Sequence, residues 1–334
     1  MTRPLAPHRN SPAHQSGRVA ADSANLGPRQ PHQGETTLTP WATDGFTAAP
    51  PDAQPFTHSP QDTQPSDKHH HHHHHAGHGG HHAGGAGDGT TGGTDLNLGS
   101  FNVLGASHTT PGGEHPDQPG AIPRMKAAVK EIKKQKLDVI GFQEMQAPQL
   151  KEFMKLTDGK YGVYPGFKLG KRDTENSIAW NKEKYDLVEA HTIDVPYFNG
   201  NMRKMPVVTL RDKDTGQEVV MMNVHNPADT KRFHNQEAYR DKATAIELAE
   251  AKRMEQTTGL PVLFTGDFNE TTEANQHVAA GSNLHAASDG RPAGIDHMYG
   301  SPAVKFTDFM RDHSKRVRYA SDHPLLVGHV HIKG

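Results

Sequence analysis

The chain has 334 residues, 36 Lys+Arg against 38 Asp+Glu, a formal net charge of −2 and no cysteine. The lack of cysteine excludes disulfides and thiolate metal sites. No apolar run is long enough to span a membrane, and the first ten residues, MTRPLAPHRN, lack the apolar segment of a Sec-type signal peptide. We therefore expect a soluble protein, either cytoplasmic or exported by another route.

Residues 1–93 differ in composition from the rest of the chain. They are rich in Pro, Gly, Gln, Thr and His, with single apolar residues and no periodicity. Such a segment buries too little apolar surface to offset the entropy lost on ordering, which predicts disorder. Residues 68–82 include seven consecutive histidines, and a Gly-rich tether follows. Imidazoles at this density bind Zn2+ or Ni2+. An expression tag or a low-complexity linker is the alternative interpretation.

Residues 94–334 are dense in short apolar runs and predict one folded domain. The tail holds 5 Lys+Arg and 7 Asp+Glu, so subtraction from 36 and 38 leaves 31 of each for the domain. A neutral domain lacks the basic excess of a protein that holds nucleic acid mainly by charge. A local basic face remains compatible with this balance.

The first part of the domain predicts strands around an amphipathic helix. Residues 96–104, LNLGSFNVL, alternate like a strand that ends at Asn102. Residues 123–136 carry apolar side chains at helical spacing, with proline in the first turn and lysines on the other face. Residues 137–145 then predict a buried strand that places Glu144 at its end. A carboxylate there is either exposed at the rim of the sheet or paired with a positive partner, for which a metal ion is the obvious candidate.

The second part of the domain mixes hairpins with helical crossovers. Strands are predicted at residues 176–181, 205–210, 218–224, 262–264, 294–299 and 325–330, and helices at residues 151–156 and 230–256. This mixture predicts a mixed sheet or two stacked sheets rather than a purely parallel sheet.

The stretch PVLFTGDFN, residues 261–269, shows how strand ends present polar groups. A short apolar run stops at Gly266 and is followed by Asp267 and Asn269, where open α/β sheets place their chemistry. A polar turn after a strand is also common without any function. The same pattern recurs along the domain, and the candidate site residues at or next to strand ends are Asn102, Glu144, His225, Asn226, Asp267, Asn269, Asp296, Asp322 and His323.

These residue types suit one kind of chemistry. Carboxylates without cysteine suit a hard cation such as Mg2+. Histidines and carboxamides beside that ion suit phosphoryl transfer, because the ion and the imidazoles spread transition-state charge while a carboxylate activates water. Taken singly, each residue could instead be a turn residue, a rim charge or a helix cap. Asp296 is harder to explain in this way, because a carboxylate inside a short apolar strand needs a partner.

Six segments in this order, SFNVLG, DVIGFQEM, NVHNP, TGDFN, GIDHMY and SDHP, resemble the motif series of the endonuclease/exonuclease/phosphatase family, the deoxyribonuclease I-like superfamily. The resemblance is closest to the bacterial branch and covers residues 95–332. It implies an α+β fold of four layers, two packed mixed β-sheets flanked by helices, with the site at one end. Leu104 stands where the abasic-site endonuclease branch has an aspartate, which puts an abasic-site repair role in doubt.

The resemblance also implies a metal and a water-activating group. Glu144 would ligate Mg2+ or Mn2+, with Asn102 nearby and Asp322 assisting. Asp267 would orient or deprotonate the attacking water, and Asn269 would bind the phosphate or hold Asp267.

The remaining roles implied by the resemblance belong to two histidines and their neighbours. His323 would stabilise the phosphoryl oxygens, with Asp296 fixing its tautomer. His225 would contact the phosphate or the leaving group, oriented by Glu175, with Asn226 beside it.

We therefore expect a monomeric, divalent-metal-dependent phosphoesterase, a nuclease or phosphodiesterase that hydrolyses a phosphodiester by in-line attack of activated water. Nucleic acid is the expected substrate, although the neutral charge balance weakens that choice slightly. A sphingomyelinase-like phospholipase or an inositol-phosphate phosphatase is the alternative within the family. No exposed aromatic hairpin or amphipathic membrane helix supports the lipid choice. A non-catalytic protein that binds metal through the His-rich tail is the alternative of another class.

Overall fold

The structure, a computed structural model, describes residues 93–333. The predicted disordered tail and its histidine run lie outside these residues, so the predictions made for them stand as predictions. Within the described residues, no helix is long and apolar enough to cross a membrane.

The elements in chain order are β1 (Thr94–Asn102), α1 (Ala121–Lys134), β2 (Val139–Gln143), α2 (Ala147–Leu156), β3 (Tyr161–Tyr164), β4 (Ser177–Asn181), β5 (Tyr185–Pro196), β6 (Met202–Asp212), β7 (Glu218–His225), α3 (Glu237–Thr258), β8 (Val262–Asp267), α4 (Thr272–Gly281), β9 (His285–Ala286), β10 (Asp296–Gly300), β11 (Val304–Asp312), α5 (Lys315–Ala320) and β12 (Leu325–Ile332).

The strands form two mixed sheets of six strands each. The first sheet has the order β11-β12-β1-β2-β4-β3, and the second has the order β5-β6-β7-β8-β10-β9. Each sheet contains one parallel pair, β1 with β2 and β7 with β8, and the other neighbours are antiparallel. In both parallel pairs the crossover contains a long helix, α1 or α3, which covers the outer face of its sheet.

Three apolar cores hold four layers together. One core joins α1, α2 and α5 to the outer face of the first sheet, and another joins α3 and α4 to the outer face of the second. The third lies between the sheets. Alternation along β12 shows why one strand serves two cores, since Leu325 and Val327 face the helices while Leu326 and Val330 face the other sheet. This architecture confirms the predicted α+β fold with two packed mixed sheets flanked by helices.

The long predicted helix starts later than expected. Residues 230–236 form an irregular loop, and α3 begins at Glu237. Inside this loop the Phe233 backbone N donates to Thr230 Oγ1, and the Gln236 backbone N donates to Asp229 Oδ1 at 2.7 Å. These local bonds satisfy backbone donors outside the helix and compete with helix formation. The predicted end of the helix before Gly259 is confirmed, because Gly259 takes the left-handed conformation with φ 69°.

The predicted elements do not include β3, β5, β9, β11 or α5. The two longer strands, β5 and β11, are largely half-exposed or exposed along their length and carry charged residues without an apolar run. Neither the alternation nor the buried-run pattern is therefore present in their sequence.

Candidate active site

The inward face of each sheet changes from apolar to polar toward one end of the sandwich. In β8, Leu263 belongs to the core between the sheets, and Thr265 and Asp267 follow on the same face because side chains alternate. The corresponding ends of β1, β7 and β10 place three more polar side chains on this face: Asn102, His225 and Asp296. The candidate site is thus the end of the inter-sheet layer.

A layer of buried polar side chains lies between the apolar core and the site. Gln143 Nε2 donates to Asn223 Oδ1 at 2.6 Å, and Thr265 Oγ1 donates to the same oxygen at 3.2 Å. The sheets approach so closely here that a Cβ on Gly141 would lie 2.2 Å from Thr265 Oγ1 and 2.3 Å from Asn223 Oδ1. Gly141 is therefore the residue that allows this cross-sheet network.

Three residues that follow strand ends adopt positive φ. They are Leu104 at 51°, Glu144 at 57° and Asn269 at 52°. For residues other than glycine this conformation is uncommon, and it tends to occur where the surrounding structure fixes a functional group. At these positions the turn leads the chain away from the sheet directly beside the candidate site.

Asn102 joins the two central carboxylates. Its Nδ2 donates to Glu144 Oε1 at 2.9 Å and to Asp267 Oδ2 at 3.0 Å, while its Oδ1 accepts from the Leu104 backbone N. Asn102 therefore presents its NH2 group, not its oxygen, to the site. It positions carboxylates from two sheets, and its oxygen is engaged away from any ion that Glu144 would hold.

Glu144 is held in its ionised form. The Gly105 backbone N donates to its Oε2 at 2.8 Å, and His108 Nε2 lies 3.3 Å from the same oxygen. Burial opposes ionisation, but the His108 hydrogen bond and the charges of His225 and His108 hold the pKa of Glu144 well below its usual range. In return, Glu144 raises the pKa of His108 to about 9. Sequence reasoning missed His108, which is a single histidine in a Gly/Pro-rich loop without a recognisable motif.

Asp267 is buried in the centre of the site. Besides the bond from Asn102, its Oδ1 accepts from the Asn269 backbone N at 3.0 Å. Burial, together with the charge of Asp296, raises the pKa of Asp267 to about 6. Its Oδ2 lies 3.6 Å from His225 Nε2 and 3.8 Å from His323 Nε2, so two imidazoles lie close to the same carboxylate oxygen.

His323 and Asp296 form a tight pair. His323 Nδ1 lies 3.1 and 3.0 Å from the two Asp296 carboxylate oxygens. Burial alone would lower the pKa of His323, but the charge and hydrogen bond of Asp296 dominate and raise it to about 10. Asp267, Asp296 and His323 lie close enough together to hold a metal ion. A protonated imidazole is not a ligand, however, so the arrangement fits a charged hydrogen-bond donor better than a metal triad.

The side-chain amides of Asn269 and Asn226 hold the chain segment next to His225. Asn269 Nδ2 donates to the Asn226 backbone O at 2.8 Å, and Asn226 Nδ2 donates to Thr244 Oγ1 and to Glu247 Oε2 on α3. His225 itself is buried, and its Nδ1 has no hydrogen-bond partner. The chain segment around His225 is therefore fixed by its neighbours rather than by a partner at Nδ1.

The expected orientation of His225 by Glu175 is wrong. Glu175 instead forms a salt bridge with Arg203, and its Oε1 accepts from Gln146 Nε2 at 3.2 Å. Arg203 is always positively charged, and this charge attracts Glu175 to the wall of the cleft. The ring contact of His225 is Tyr197, whose OH lies 3.5 Å from His225 Nε2.

Asp322 does not join the central cluster. Its Oδ2 lies 3.6 Å from His115 Nε2, its Oδ1 accepts from Ser321 Oγ at 3.3 Å, and its side chain is 36% exposed. The other eight sequence candidates are directly linked through the contacts described above. The role of Asp322 as an assisting metal ligand stays a prediction.

An open cleft of about 360 Å3 gives access to these groups. Glu144, Asp267, His225 and His323 lie along it, and Tyr197, Phe198 and Arg203 line it as well. Those last three come from the β5–β6 hairpin, which sequence reasoning did not predict. The available signal was the dipeptide Asn199-Gly200, because both residues take positive φ in the hairpin turn.

The donor set fits a hard divalent cation near Glu144. Glu144 and Asp267 are two carboxylates that converge on one amide group, and Glu144 is kept ionised, as a ligand must be. The fit rests on Glu144, with Asp267 beside it.

Comparison with known proteins agrees with the fold. The model of the Endonuclease/Exonuclease/phosphatase family matches residues 99–323. A comparison with curated proteins found no match. Among solved structures, an endonuclease/exonuclease/phosphatase from Bacteroides vulgatus has a TM-score of 0.59 at 18% identity, covering 72% of this chain and 99% of that chain.

Two further solved structures share the fold. Mannosyl-6-phosphatase from Bacteroides thetaiotaomicron has a TM-score of 0.56 at 20% identity, covering 70% of this chain and 99% of that chain. TDP2 from D. rerio, complexed with a single-strand DNA product, has a TM-score of 0.53 at 15% identity, covering 71% and 99%. At these identities the likeness concerns the fold, whereas the family model covers most of the domain. The chain therefore belongs to the endonuclease/exonuclease/phosphatase family, whose members are enzymes that hydrolyse phosphoric esters.

Proposed function

We propose that this enzyme is a divalent-metal-dependent phosphodiesterase that hydrolyses nucleic acid by in-line attack of water. The observation that carries the proposal is the meeting of Glu144, Asp267, His225 and the His323–Asp296 pair along one open cleft. The cleft thus offers one phosphate two carboxylates and two imidazoles. Together these groups supply a base, a cation site and hydrogen-bond donors.

Asp267 acts as the general base. With a pKa of about 6 it is ionised at neutral pH and remains basic enough to accept a proton, which is the range that suits general-base catalysis. The Asn269 backbone N and Asn102 Nδ2 each hold one of its oxygens, so its orientation is fixed before substrate arrives. Asp267 takes a proton from the water as the water oxygen bonds to phosphorus and the bond to the leaving oxygen breaks.

His323 stabilises charge on the phosphoryl group. Asp296 engages Nδ1, which leaves the protonated Nε2 directed toward Asp267 and the cleft. An imidazolium that is already oriented costs little reorganisation when charge develops on a phosphoryl oxygen. His225, which also lies close to Asp267 Oδ2, contacts the phosphate or the leaving oxygen.

Glu144 would hold Mg2+ or Mn2+, with Asp267 as the neighbouring carboxylate. When bound there, such an ion supplies positive charge to the phosphoryl oxygens and to the leaving oxygen. Asn102 keeps the two carboxylates together, and His108 balances the charge of Glu144 in the free protein.

The wall of the cleft supports a nucleic-acid substrate. Phe198 lies on the cleft and stacks on Phe233 with ring centroids 4.4 Å apart, and the Arg232 guanidinium lies 5.3 Å from the Phe233 ring. Aromatic rings with nearby arginine bind the flat bases of a single strand without sequence preference. The TDP2 complex with a single-strand DNA product has the same fold. A phosphomonoester is the second candidate, because the mannosyl-6-phosphatase also has this fold.

The first test is a substrate panel with matched variants. Single-stranded DNA, double-stranded DNA, RNA, a chromogenic phosphodiester and a sugar phosphate are incubated with the full chain, with and without Mg2+ or Mn2+. We expect metal-dependent release of product from single-stranded nucleic acid, and a loss of roughly a hundredfold or more in kcat for Asp267→Asn and for His323→Ala. Activity on nucleic acid should fall steeply with salt.

Asp308→Asn and His313→Ala are the controls, since both residues are exposed and lie outside the cleft. They should match the wild type. Hydrolysis of the sugar phosphate alone would select the phosphomonoester function. Asp267→Asn and His323→Ala variants as active as the wild type would refute the proposed roles.

A further inference from the structure

A second group of possible metal ligands lies outside the cleft. It consists of Asp241 on α3, Glu270 in the loop between β8 and α4, and His277 on α4. One ligand atom from each lies within 4.8 Å of the others. None of the three has a role in the proposed hydrolysis, and none lines the cleft described above.

The buried member of this group lacks the partner that it needs. The Glu270 side chain is only 7% exposed, and its Oε2 has no hydrogen-bond partner. His277 Nδ1, which is also buried and has no hydrogen-bond partner, lies 3.5 Å from Glu270 Oε2. An unpaired buried carboxylate oxygen costs free energy, so two unsatisfied ligand atoms that face each other point to a missing third group.

The charged groups around Glu270 leave one of its two carboxylate oxygens available to a cation. Arg240 Nε lies 3.3 Å from Glu270 Oε1, the other oxygen, and its remaining donors bind Asp229 and the Pro227 backbone O. His277 Nε2 lies 4.0 Å from Asp241 Oδ1. Arg240 therefore occupies one side of the Glu270 carboxylate and leaves Oε2 directed at the cluster.

We propose that Asp241, Glu270 and His277 bind a divalent transition metal ion, with Mn2+ or Zn2+ favoured over Mg2+ and Ca2+. Imidazole is a good ligand for transition ions, whereas Mg2+ and Ca2+ prefer oxygen alone. Three protein ligands leave at least one position for water. Ligand atoms about 2.1 Å from one ion lie roughly 3.4 Å apart in tetrahedral geometry, and one ligand atom from each of the three side chains already lies within 4.8 Å of the others.

An ion at this position would tie three segments together. Asp241 belongs to α3, His277 to α4, and Glu270 directly follows Asn269, which holds Asp267. The Glu270 backbone O also accepts from His297 Nε2 at 2.8 Å. The site is therefore structural, and it stabilises the loop that follows the catalytic strand β8.

The test measures Mn2+ binding to the full chain at saturating Mg2+, through the EPR signal of free Mn2+. Mg2+ fills sites made of oxygen ligands alone. Among the first-row transition ions Mn2+ binds nitrogen ligands most weakly, which limits its uptake by the histidine run, whereas the two carboxylates of the cluster suit it. We expect His277→Gln and Asp241→Asn each to bind one Mn2+ fewer than the wild type, or to bind it at least tenfold more weakly. His313→Gln, which removes an exposed histidine elsewhere, should bind as the wild type does.

Thermal unfolding provides a second readout that does not depend on activity. With Mg2+ kept saturating so that the cleft is already filled, Mn2+ at a hundredfold excess over its Kd should raise the Tm of the wild type and of His313→Gln by roughly 5 °C. The rise should be absent in His277→Gln. If all variants take up the same amount of Mn2+ and show the same rise in Tm, the cluster is an ion pair only and the proposed site is refuted.

Discussion

Asp296 acts on the site through one partner, His323, whose Nδ1 it engages with both carboxylate oxygens. Asp296→Asn removes the negative charge that keeps His323 protonated and leaves an amide in its place. We expect kcat to fall roughly a hundredfold or more with little change in KM, because the lost interaction stabilises charge that develops only in the transition state. Steady-state kinetics on the substrate found in the panel measures this.

A double variant distinguishes positioning from an independent role. If Asp296 works only through His323, then Asp296→Asn added to His323→Ala should cause no further loss of kcat. If the loss of kcat in the double variant is the product of the two single losses, Asp296 contributes by a separate route. That result would contradict the pairing inferred from the structure. Asp308→Asn serves as the matched exposed aspartate.

Glu247 is a fully buried carboxyl group behind the site. Its Oε2 accepts from Asn226 Nδ2 at 3.3 Å, and its Oε1 has no partner. Burial raises the pKa of Glu247 to about 8, against the opposing Asn226 hydrogen bond and with help from the charge of Glu270. The group is therefore protonated in the folded protein at neutral pH.

This raised pKa makes stability depend on pH. Because the folded pKa lies above the unfolded value of 4.5, the folded state binds more protons between the two values. The stability that Glu247 contributes is complete below about pH 4.5 and is lost as pH rises through about 8. Glu247→Gln cannot ionise, so its free energy of unfolding should fall less between pH 6 and pH 9, by a few kcal/mol.

Urea unfolding at several pH values measures this difference. Glu237→Gln is the control, because Glu237 lies on the same helix and is exposed. Parallel pH profiles for Glu247→Gln and the wild type would show that Glu247 is ionised in the fold, contrary to the raised pKa.

Between elements, Gly141 sets the distance from β2 to the second sheet. A methyl group there would lie 2.2 Å from Thr265 Oγ1 and 2.3 Å from Asn223 Oδ1, both buried in the cross-sheet network. Gly141→Ala should therefore lower the free energy of unfolding by about 1–3 kcal/mol, the usual effect of overpacking. It should also lower kcat, because β2 leads directly to Glu144.

Gly294→Ala is the control for this substitution. No atom lies within 4 Å of a Cβ built there, and its φ lies outside the left-handed region. Chemical denaturation should show nearly unchanged stability for Gly294→Ala. An equally stable Gly141→Ala variant would mean that the sheets can separate locally without cost.

Elements with a continuous apolar run or a clear period were predicted, and elements without one were not. β2 and β8 are buried along their whole length, and their sequence shows it directly. β5 is a twelve-residue strand whose side chains are mostly half-exposed or exposed, so it lacks both patterns. Because β5 was not predicted, three residues that line the cleft were missed as well. The hairpin of β5 and β6 supplies them: Tyr197, Phe198 and Arg203.

At the scale of the whole molecule, the site is a joint product of two sheets. Asn102 and Glu144 lie at the end of strands in the first sheet, whereas His225, Asp267 and Asp296 belong to the second. The bond from Asn102 to Asp267 spans 165 residues of sequence. Neither sheet alone contains both Glu144, the proposed metal ligand, and Asp267, the proposed base, so packing of the sheets is a condition for the proposed chemistry.

The sequence by itself determined the family, the four-layer fold and most of the polar residues at strand ends, because these depend on local patterns and on six short motifs in order. Only the tertiary structure decided which groups meet. It paired Glu175 with Arg203 instead of His225, turned the Asn102 oxygen away from the site and brought His108 onto Glu144. Such pairings depend on side-chain direction and on competition among distant charges, which follow from how the two sheets pack and not from spacing along the chain.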